Sequence, residues 1–575
     1  MENEQSIRDG PRREEPDTEI FNPNWRFHAA FAALAVTNLT AALDATMLSV
    51  AIPVIAEGLQ GSAVEAFWSG TSFLLASTVV QPTTVSLSEI FGRQQIFLAV
   101  LTLFTIGAIM CAASQRFPLM LAGRSVQGLG AGGILALTDV LITDMVPLRY
   151  RGKYIALIGI VWAVGSVSGP ILGGVFAERS TWRWIFFINL PIAGISFVGI
   201  LVFLNLQRPE GSLSKKIRQL DYFGSFLFTA SLTSFLIPVT WGGVMYQWSS
   251  WHTLLPLLVG VIGLIAFVVF ETRFATKKLI PFHLFNNYST STTYLEIFLH
   301  GVVLWCIIYY MPLYFEGAQG FSPVPAGLTS LPQSCTVVPC AAAVGLIATK
   351  TGRYRWALWA GWMITTLGCG LLCLFDVDTP RWEWVIINLI SGIGIGLLFS
   401  ALSLALQASV PQEHVAYAVG LLTFFRAFGQ SIGVAVGGVI FQNRIKAELR
   451  RFPGLESQAI QYSNDAAALV QIIHRLPPDM PERQLLEKSY ANAIRAVWIF
   501  LCALSAVAFF ISFTIKGYTL DQALQTSQGF KRPEPSRPSV LEAPPVSESE
   551  KPTLHPQDGK GQPESIPRPV ESAPE

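Results

Sequence analysis

The sequence predicts an all-α polytopic membrane protein: two six-helix bundles plus two linker transmembrane helices, fourteen spans in all. Three observations predict it. Of 575 residues, 51% are hydrophobic and only 13% are charged, where a soluble domain carries about 25% charge. The apolar residues gather into runs that approach or exceed the roughly 20 needed to cross a bilayer. Two of these runs carry the same ridge of small residues at a helical spacing of four, Gly165, Gly169 and Gly173 in one and Gly429, Gly433 and Gly437 in the other.

The elements follow in chain order. Residues 1–26 are polar, with no apolar core for a cleaved signal, so they are expected to form a disordered cytoplasmic N-terminus and insertion to begin at the first span. Spans 27–52, 66–88, 96–114, 118–140, 153–176 and 183–206 make the first bundle, 27–206. Residues 207–272 hold a cytoplasmic linker and the two extra spans, 222–243 and 252–272. The second bundle, 273–520, contains spans 294–315, 326–349, 356–376, 383–407, 415–441 and 493–516, with a long extracytoplasmic loop at 444–492. Residues 521–575 are rich in Pro, Ser and Glu and read as a disordered cytoplasmic tail.

Short loops orient the chain by their Lys and Arg. Arg149, Arg151 and Lys153 follow span 4, Lys215 and Lys216 follow span 6, and Lys350 and Arg353 follow span 10, whereas the loops after spans 1, 7 and 9 carry neither residue. Both termini are therefore expected in the cytoplasm. On that side the sequon at Asn287 should stay unglycosylated.

With spans 7 and 8 set aside, span 5 corresponds to span 13. Span 2, followed by Gly92 and Arg93, corresponds to span 10, followed by Gly352 and Arg353. Transporters built from such repeats place their site between them near midplane. Glycine costs about 1 kcal/mol in an aqueous helix but lets membrane helices approach closely. Pro170 should bend span 5 beside its ridge, which suggests a joint between two moving halves.

Charges within spans are costly and are functional candidates by default. Asp44 in span 1 and Arg124 in span 4 lie at similar depth and could pair, with Gln127 one turn from Arg124. A carboxylate beside a cation in a low-dielectric cavity can be tuned to take up a proton; the alternative is a structural ion pair. Arg426, Glu296 and His300 sit nearer their helix ends, where they could snorkel to the surface. Glu89 and Arg93 at i and i+4, with Asp144 on the same side, could form a cytoplasmic latch, or a plain solvated salt bridge. Tyr309 and Tyr310 in span 9 are candidates for the wall of a cavity taking a flat, apolar ligand.

Several classes are excluded. Gly128, Gly130 and Gly133 fit a dinucleotide fingerprint, but that fingerprint needs a strand before it and here it lies inside span 4. No Walker-type loop occurs, so no nucleotide is expected, and the balanced charge points to no nucleic acid. The seven cysteines show no metal spacing. No cofactor, metal or catalytic constellation is expected, so the chain does not read as an enzyme.

On these residues the sequence resembles the major facilitator superfamily, in its fourteen-span drug:proton antiporter branch, and most the fungal members that export secondary metabolites or toxic compounds. The antiporter motif g-x-x-x-G-P-x-x-G-G is matched by Gly165, Gly169, Pro170, Gly173 and Gly174. The span-1 motif is matched by Leu43, Asp44, Thr46, Ala51 and Pro53, and the span-4 motif R-x-x-Q-G by Arg124, Gln127 and Gly128. The loop motif is matched in part, by Leu87, Gly92 and Arg93; Val85 replaces its first glycine and Glu89 its aspartate.

The resemblance implies proton coupling through Asp44 and Arg124, a latch at Glu89, Gly92, Arg93 and Asp144, and rocker-switch export of small lipophilic molecules against protons. The plasma membrane is the expected location, with the vacuolar membrane as the alternative. One chain holds both halves, so a monomer would suffice. A carrier dedicated to a siderophore or basic amino acid, and a non-transporting receptor, are the rival readings.

Overall fold

The computed structural model describes residues 21–530, apart from 22, 62, 244, 453–455, 457, 458, 464, 465, 478, 523, 525 and 527. Residues 1–20 and 531–575, most of the two stretches expected to be disordered, lie outside the described residues.

A long helix stands at each expected span. In the first half these are α1 (Trp25–Gly58), α2 (Ala63–Phe91), α3 (Arg93–Ala112), α4 (Phe117–Met145), α5 (Leu148–Arg179) and α6 (Trp184–Phe203). The linker pair is α7 (Tyr222–Trp241) and α8 (Trp251–Arg273). The second half holds α9 (Tyr288–Gly317), α10 (Leu331–Thr351), α11 (Arg355–Leu372), α12 (Arg381–Ser409), α13 (Val415–Leu449) and α14 (Pro481–Ser512). Twelve of them are long and apolar enough to cross a membrane; α2, rich in Ser and Thr, and α11, which opens on Arg355, are the two that fall short.

The repeat is visible in the packing. In the first half α1 lies on α5, α2 and α3 on α4, and α1 and α3 on α6; in the second, α9 lies on α13, α10 and α11 on α12, and α9 and α11 on α14. The linker helices α7 and α8 pair with each other, and α7 also touches α2 and α13. The glycine run of α4 explains the tightest of these contacts. A side chain at Gly128 or Gly132 would strike the backbone of α2 at Phe73 or Ser77, and one at Gly130 the backbone of α3 at Phe104. The glycines that mimic a nucleotide fingerprint are thus a helix-packing surface.

The ridge of α5 serves the same purpose within one half. A Cβ at Gly165 would lie 2.5 Å from the Cβ of Ala42 on α1, and Gly169 and Gly173 face Thr46 and Met47 of that helix. Gly429, Gly433 and Gly437 of α13 repeat this against Phe298, Val302 and Cys306 of α9. The ridge therefore seats α5 on the helix bearing Asp44, in place of the joint between halves that its glycines and Pro170 suggest. Pro170 and Gly174 are half-buried beside it.

The halves meet elsewhere, through α5 with α10 and through α2 and α4 with α13. Their contact is closest at the end where the Lys- and Arg-rich loops lie, here termed the basic end. Gly152 and Gly345 cross there so closely that a Cβ on the first would sit 2.7 Å from the Cα of the second. Val85 and Val140 of the first half share an apolar cluster with Val415, Ala416 and Val419 of α13. Val85, where the loop motif has glycine, is received by Gly420 on the facing helix, so close packing survives with the small residue on the other partner.

Several helices run past the expected spans. α1 runs to Gly58, beyond 52. α13 runs to Leu449 and α14 begins at Pro481, so the expected loop 444–492 is largely helical, with short helices at Ala459–Ser463 and Ala466–Arg475. The extensions carry i, i+4 ion pairs, Arg444–Glu448 and Arg483–Glu487, each at 2.8 Å. Hydropathy reports which residues can enter lipid, and a charged amphipathic turn is helical without meeting that test. Asn287 of the sequon caps α9, its Oδ1 accepting from Ser289 N at 3.0 Å.

Candidate functional site: a buried charge cluster and an ion-pair network at the basic end

Asp44 and Arg124 come together. Asp44 is 0% exposed, Arg124 1%, and Arg124 Nη1 donates to Asp44 Oδ2 at 2.7 Å. Gln127, one turn along α4, bridges the pair: its Nε2 donates to Asp44 Oδ1 at 2.8 Å and its Oε1 accepts from Arg124 Nη1 at 2.8 Å. Arg124 Nε is held by the carbonyl of Ser69 at 3.0 Å, and its guanidinium lies over the ring of Phe73 at 4.2 Å. Two positions of α2, two of α4 and one of α1 thus fix a single ion pair.

A further ligand was not singled out from the sequence. Asn189 Nδ2 donates to Asp44 Oδ1 at 2.9 Å. It stands where α6 breaks at Ile188. Pro191 has no N–H to offer the Phe187 carbonyl, which accounts for the break. An amide beside a proline inside an apolar run was the available signal. Asp44 therefore accepts from three side chains on two helices besides its own. A buried ion pair held by two amides can be stable in lipid, whereas removing either ion leaves an uncompensated charge.

The ridge of α5 borders this cluster. Ala42, Thr46 and Met47, which receive Gly165, Gly169 and Gly173, flank Asp44 on α1, and Thr46 Oγ1 reaches the Gly165 carbonyl at 3.2 Å. The motif glycines fix how deeply α1, and with it the carboxylate, is set against α5.

The latch residues also assemble, at the basic end. Arg93, 2% exposed, pairs with Glu89 and, through Nε, with Asp144 Oδ2 at 2.9 Å. Its Nη1 donates to Ser88 Oγ at 2.6 Å. Gly92 adopts φ +109°, a conformation that favours glycine, and so allows the tight turn between α2 and α3. Arg151, which in the sequence marks only the orientation of the chain, is buried and spans the halves, donating to Thr143 O at 2.9 Å and to Gln407 Oε1 of α12 at 3.0 Å. Arg149 Nε donates to Thr349 O of α10 at 2.8 Å. A cavity of about 270 Å³ lies among Glu89, Arg93, Asp144, Arg151 and Gln412.

Residues from the start of the tail lie on this network. Thr526 Oγ1 donates to Asp144 Oδ1 at 2.8 Å, and Gln528 Oε1 accepts from Arg93 N at 3.0 Å. Asp521 pairs with Arg149 at 2.8 Å, and Gln207 N donates to Gly529 O at 2.9 Å. The sequence boundary at Leu520 separates low-complexity composition from apolar spans, and side-chain hydrogen bonds of this kind leave no trace in composition.

Arg93→Gln is expected to strand Asp144 without its cation, at a local cost of about 3–5 kcal/mol. Hydrogen–deuterium exchange of the membrane-embedded protein should then accelerate at residues 86–94 and 526–530; unchanged exchange there would show that the pair does not hold this network together.

The remaining candidates separate. Tyr309 is 41% exposed, and Tyr310, in place of lining a cavity, is buried with its hydroxyl donating to Val434 O at 3.0 Å. Aromatic content alone does not distinguish helix packing from a cavity wall. Arg426, Glu296 and His300 do not snorkel: all three are buried. Glu296 Oε2 accepts from Trp362 Nε1 at 3.2 Å.

Comparison with known proteins decides the family. The model of the Major Facilitator Superfamily matches residues 34–237 and 218–434. The chain belongs to the major facilitator superfamily. It is 48% identical over 516 residues to "MFS transporter L2" of Phoma sp., covering 90% of this chain and 86% of that protein. It is 34% identical over 526 residues to "Efflux pump FUS6" of Gibberella moniliformis, covering 91% and 93%. In fold it matches the human organic anion transporter MFSD10 with a TM-score of 0.55 at 15% identity, over 85% of this chain and all of that one. This major facilitator protein is therefore a multi-pass membrane transporter and not an enzyme. The paired halves and their repeat are the superfamily's fold.

Proposed function

We propose that the protein is a proton-coupled antiporter that exports small lipophilic molecules from the cytoplasm by alternating access. The observation that carries this reading is the buried Asp44–Arg124–Gln127–Asn189 cluster, set against α5. Similarity to a protein named an efflux pump supports the direction of transport. In this reading the basic end faces the cytoplasm, both termini lie there, and the membrane is the plasma membrane.

Protonation of Asp44 would remove the charge that Arg124, Gln127 and Asn189 converge on. The Arg124 guanidinium would lose its counter-ion, and the contacts of α1 with α4 and α6 would weaken together. A change in those contacts alters how the first half sits, which is what a rocker switch needs. The gate at Arg93, Arg149 and Arg151 would close the cytoplasmic side in one state and part in the other. The occupant would be a neutral or anionic lipophilic compound.

The test is retention of fluorescent lipophilic compounds in yeast stripped of its own pumps. Cells expressing the protein should retain less of at least one compound, and a protonophore should restore retention. Retention that stays low with the gradient collapsed would contradict proton coupling.

A further inference from the structure

Arg426 of α13 is a buried cation that the proton site and the gate leave unused. It is 8% exposed, and both Nε and Nη2 are buried without a hydrogen-bond partner. It stands roughly 16 Å along α13 at 1.5 Å per residue, near the middle of a hydrocarbon layer about 30 Å thick. Its guanidinium lies 4.1 Å from the ring centroid of Phe399 on α12. Phe399 in turn packs against the apolar core of the first half, so the group sits where the halves face each other. Asp139 of α4, from the first half, is near enough to act on Arg426 through its charge, yet neither Nε nor Nη2 is bonded to it. His300 of α9 lies by the same ring, 6.2 Å between centroids, with Nδ1 unpartnered and Nε2 at 3.2 Å from the Ile395 carbonyl.

A guanidinium remains charged in a protein, and burying it with two idle donors is costly unless a ligand completes it. Nε and Nη2 form the edge of the guanidinium that takes a carboxylate side-on, with two parallel hydrogen bonds. Phe399 beneath it offers a flat apolar surface at the same place. A carboxylate or similar oxyanion joined to an apolar body would satisfy both.

We propose that Arg426 is an anion-binding subsite on the cargo path, and that the cargo is an amphiphile carrying a carboxylate or comparable oxyanion. The anion would bind at Nε and Nη2 of Arg426 and the apolar body against Phe399. Asp139 would be the competing charge that keeps Arg426 from holding the anion too tightly. The inference deepens the export reading and rests on it for the path, but not for proton coupling.

The experiment measures binding of pyrenebutyrate and of its methyl ester to the full chain in lipid nanodiscs, without a proton gradient, with empty nanodiscs as background. The acid should bind about tenfold or more tightly than the ester, as expected for a charge-assisted pair. Arg426→Gln should remove that preference. Arg426→Lys, which keeps the charge without the side-on edge, should reduce it in part, and Asp139→Asn should strengthen it. Equal affinity for acid and ester, failure of the acid to bind, or a preference that survives Arg426→Gln would overturn the subsite. Should Arg426→Gln not fold, the opposite shifts expected of Arg426→Lys and Asp139→Asn still decide. None of these outcomes depends on Asp44, so failure here and failure of proton coupling are read apart.

Discussion

Asp44→Asn is expected to abolish gradient-driven efflux, returning retention to the level of cells without the transporter, while the protein still reaches the membrane. Asparagine keeps the shape of aspartate and an oxygen for Arg124 or Gln127, so the cluster can stay closed. What it loses is the ability to bind and release a proton. Asp44→Ala should behave differently. It leaves Arg124, 1% exposed, with no counter-ion, at a cost of about 3–5 kcal/mol, and should lower the amount of folded protein. The two substitutions together separate a proton carrier from a structural ion pair. Surface expression alongside retention is the measurement, and an Asp44→Asn protein that still exports against a gradient would return the pair to a structural role.

The second large effect is expected at the α5 ridge. Gly173→Val would drive a branched side chain into the α1 backbone at Met47, where even a Cβ would come too close. The backbone cannot yield as a flexible side chain would, so α5 must move off α1 and Asp44 with it. Overpacking of this kind costs about 1–3 kcal/mol, and the displaced ligands of Asp44 add to it. Export should be lost, and thermal stability in detergent should fall. Gly159→Ala on the same helix is the control, because a Cβ there meets nothing within 4 Å. Equal activity of the two variants would refute the view that the ridge positions the carboxylate.

Much of this was legible in the sequence, for identifiable reasons. Apolar runs and glycine ridges report directly on lipid contact and helix approach, so the helices and the repeat could be read. Asp44 and Arg124 stood out because a charge within an apolar run is rare, and their similar depth suggested the pairing. Asn189 was less legible, since a neutral amide beside Pro191 in an apolar run is a weaker signal than a charge. Asp139, near the end of its apolar run, was not singled out from the sequence; the fold brings it within reach of the Arg426 charge. The partner of the α5 ridge could not be read either, because spacing shows that a face is bare without showing which helix fills it. The tail residues meet the Arg93–Asp144 pair through Thr526 and Gln528, whose side chains are unremarkable in composition.

The measurement that tests the central claim most directly uses the purified protein in proteoliposomes with an imposed pH gradient and a pH-sensitive dye inside. The compound added would be one that the yeast assay shows to be exported. Proton coupling at Asp44 predicts that the compound dissipates the gradient with the intact protein and leaves it standing with Asp44→Asn. Compound movement without proton flux, or proton flux that persists in Asp44→Asn, would contradict the account.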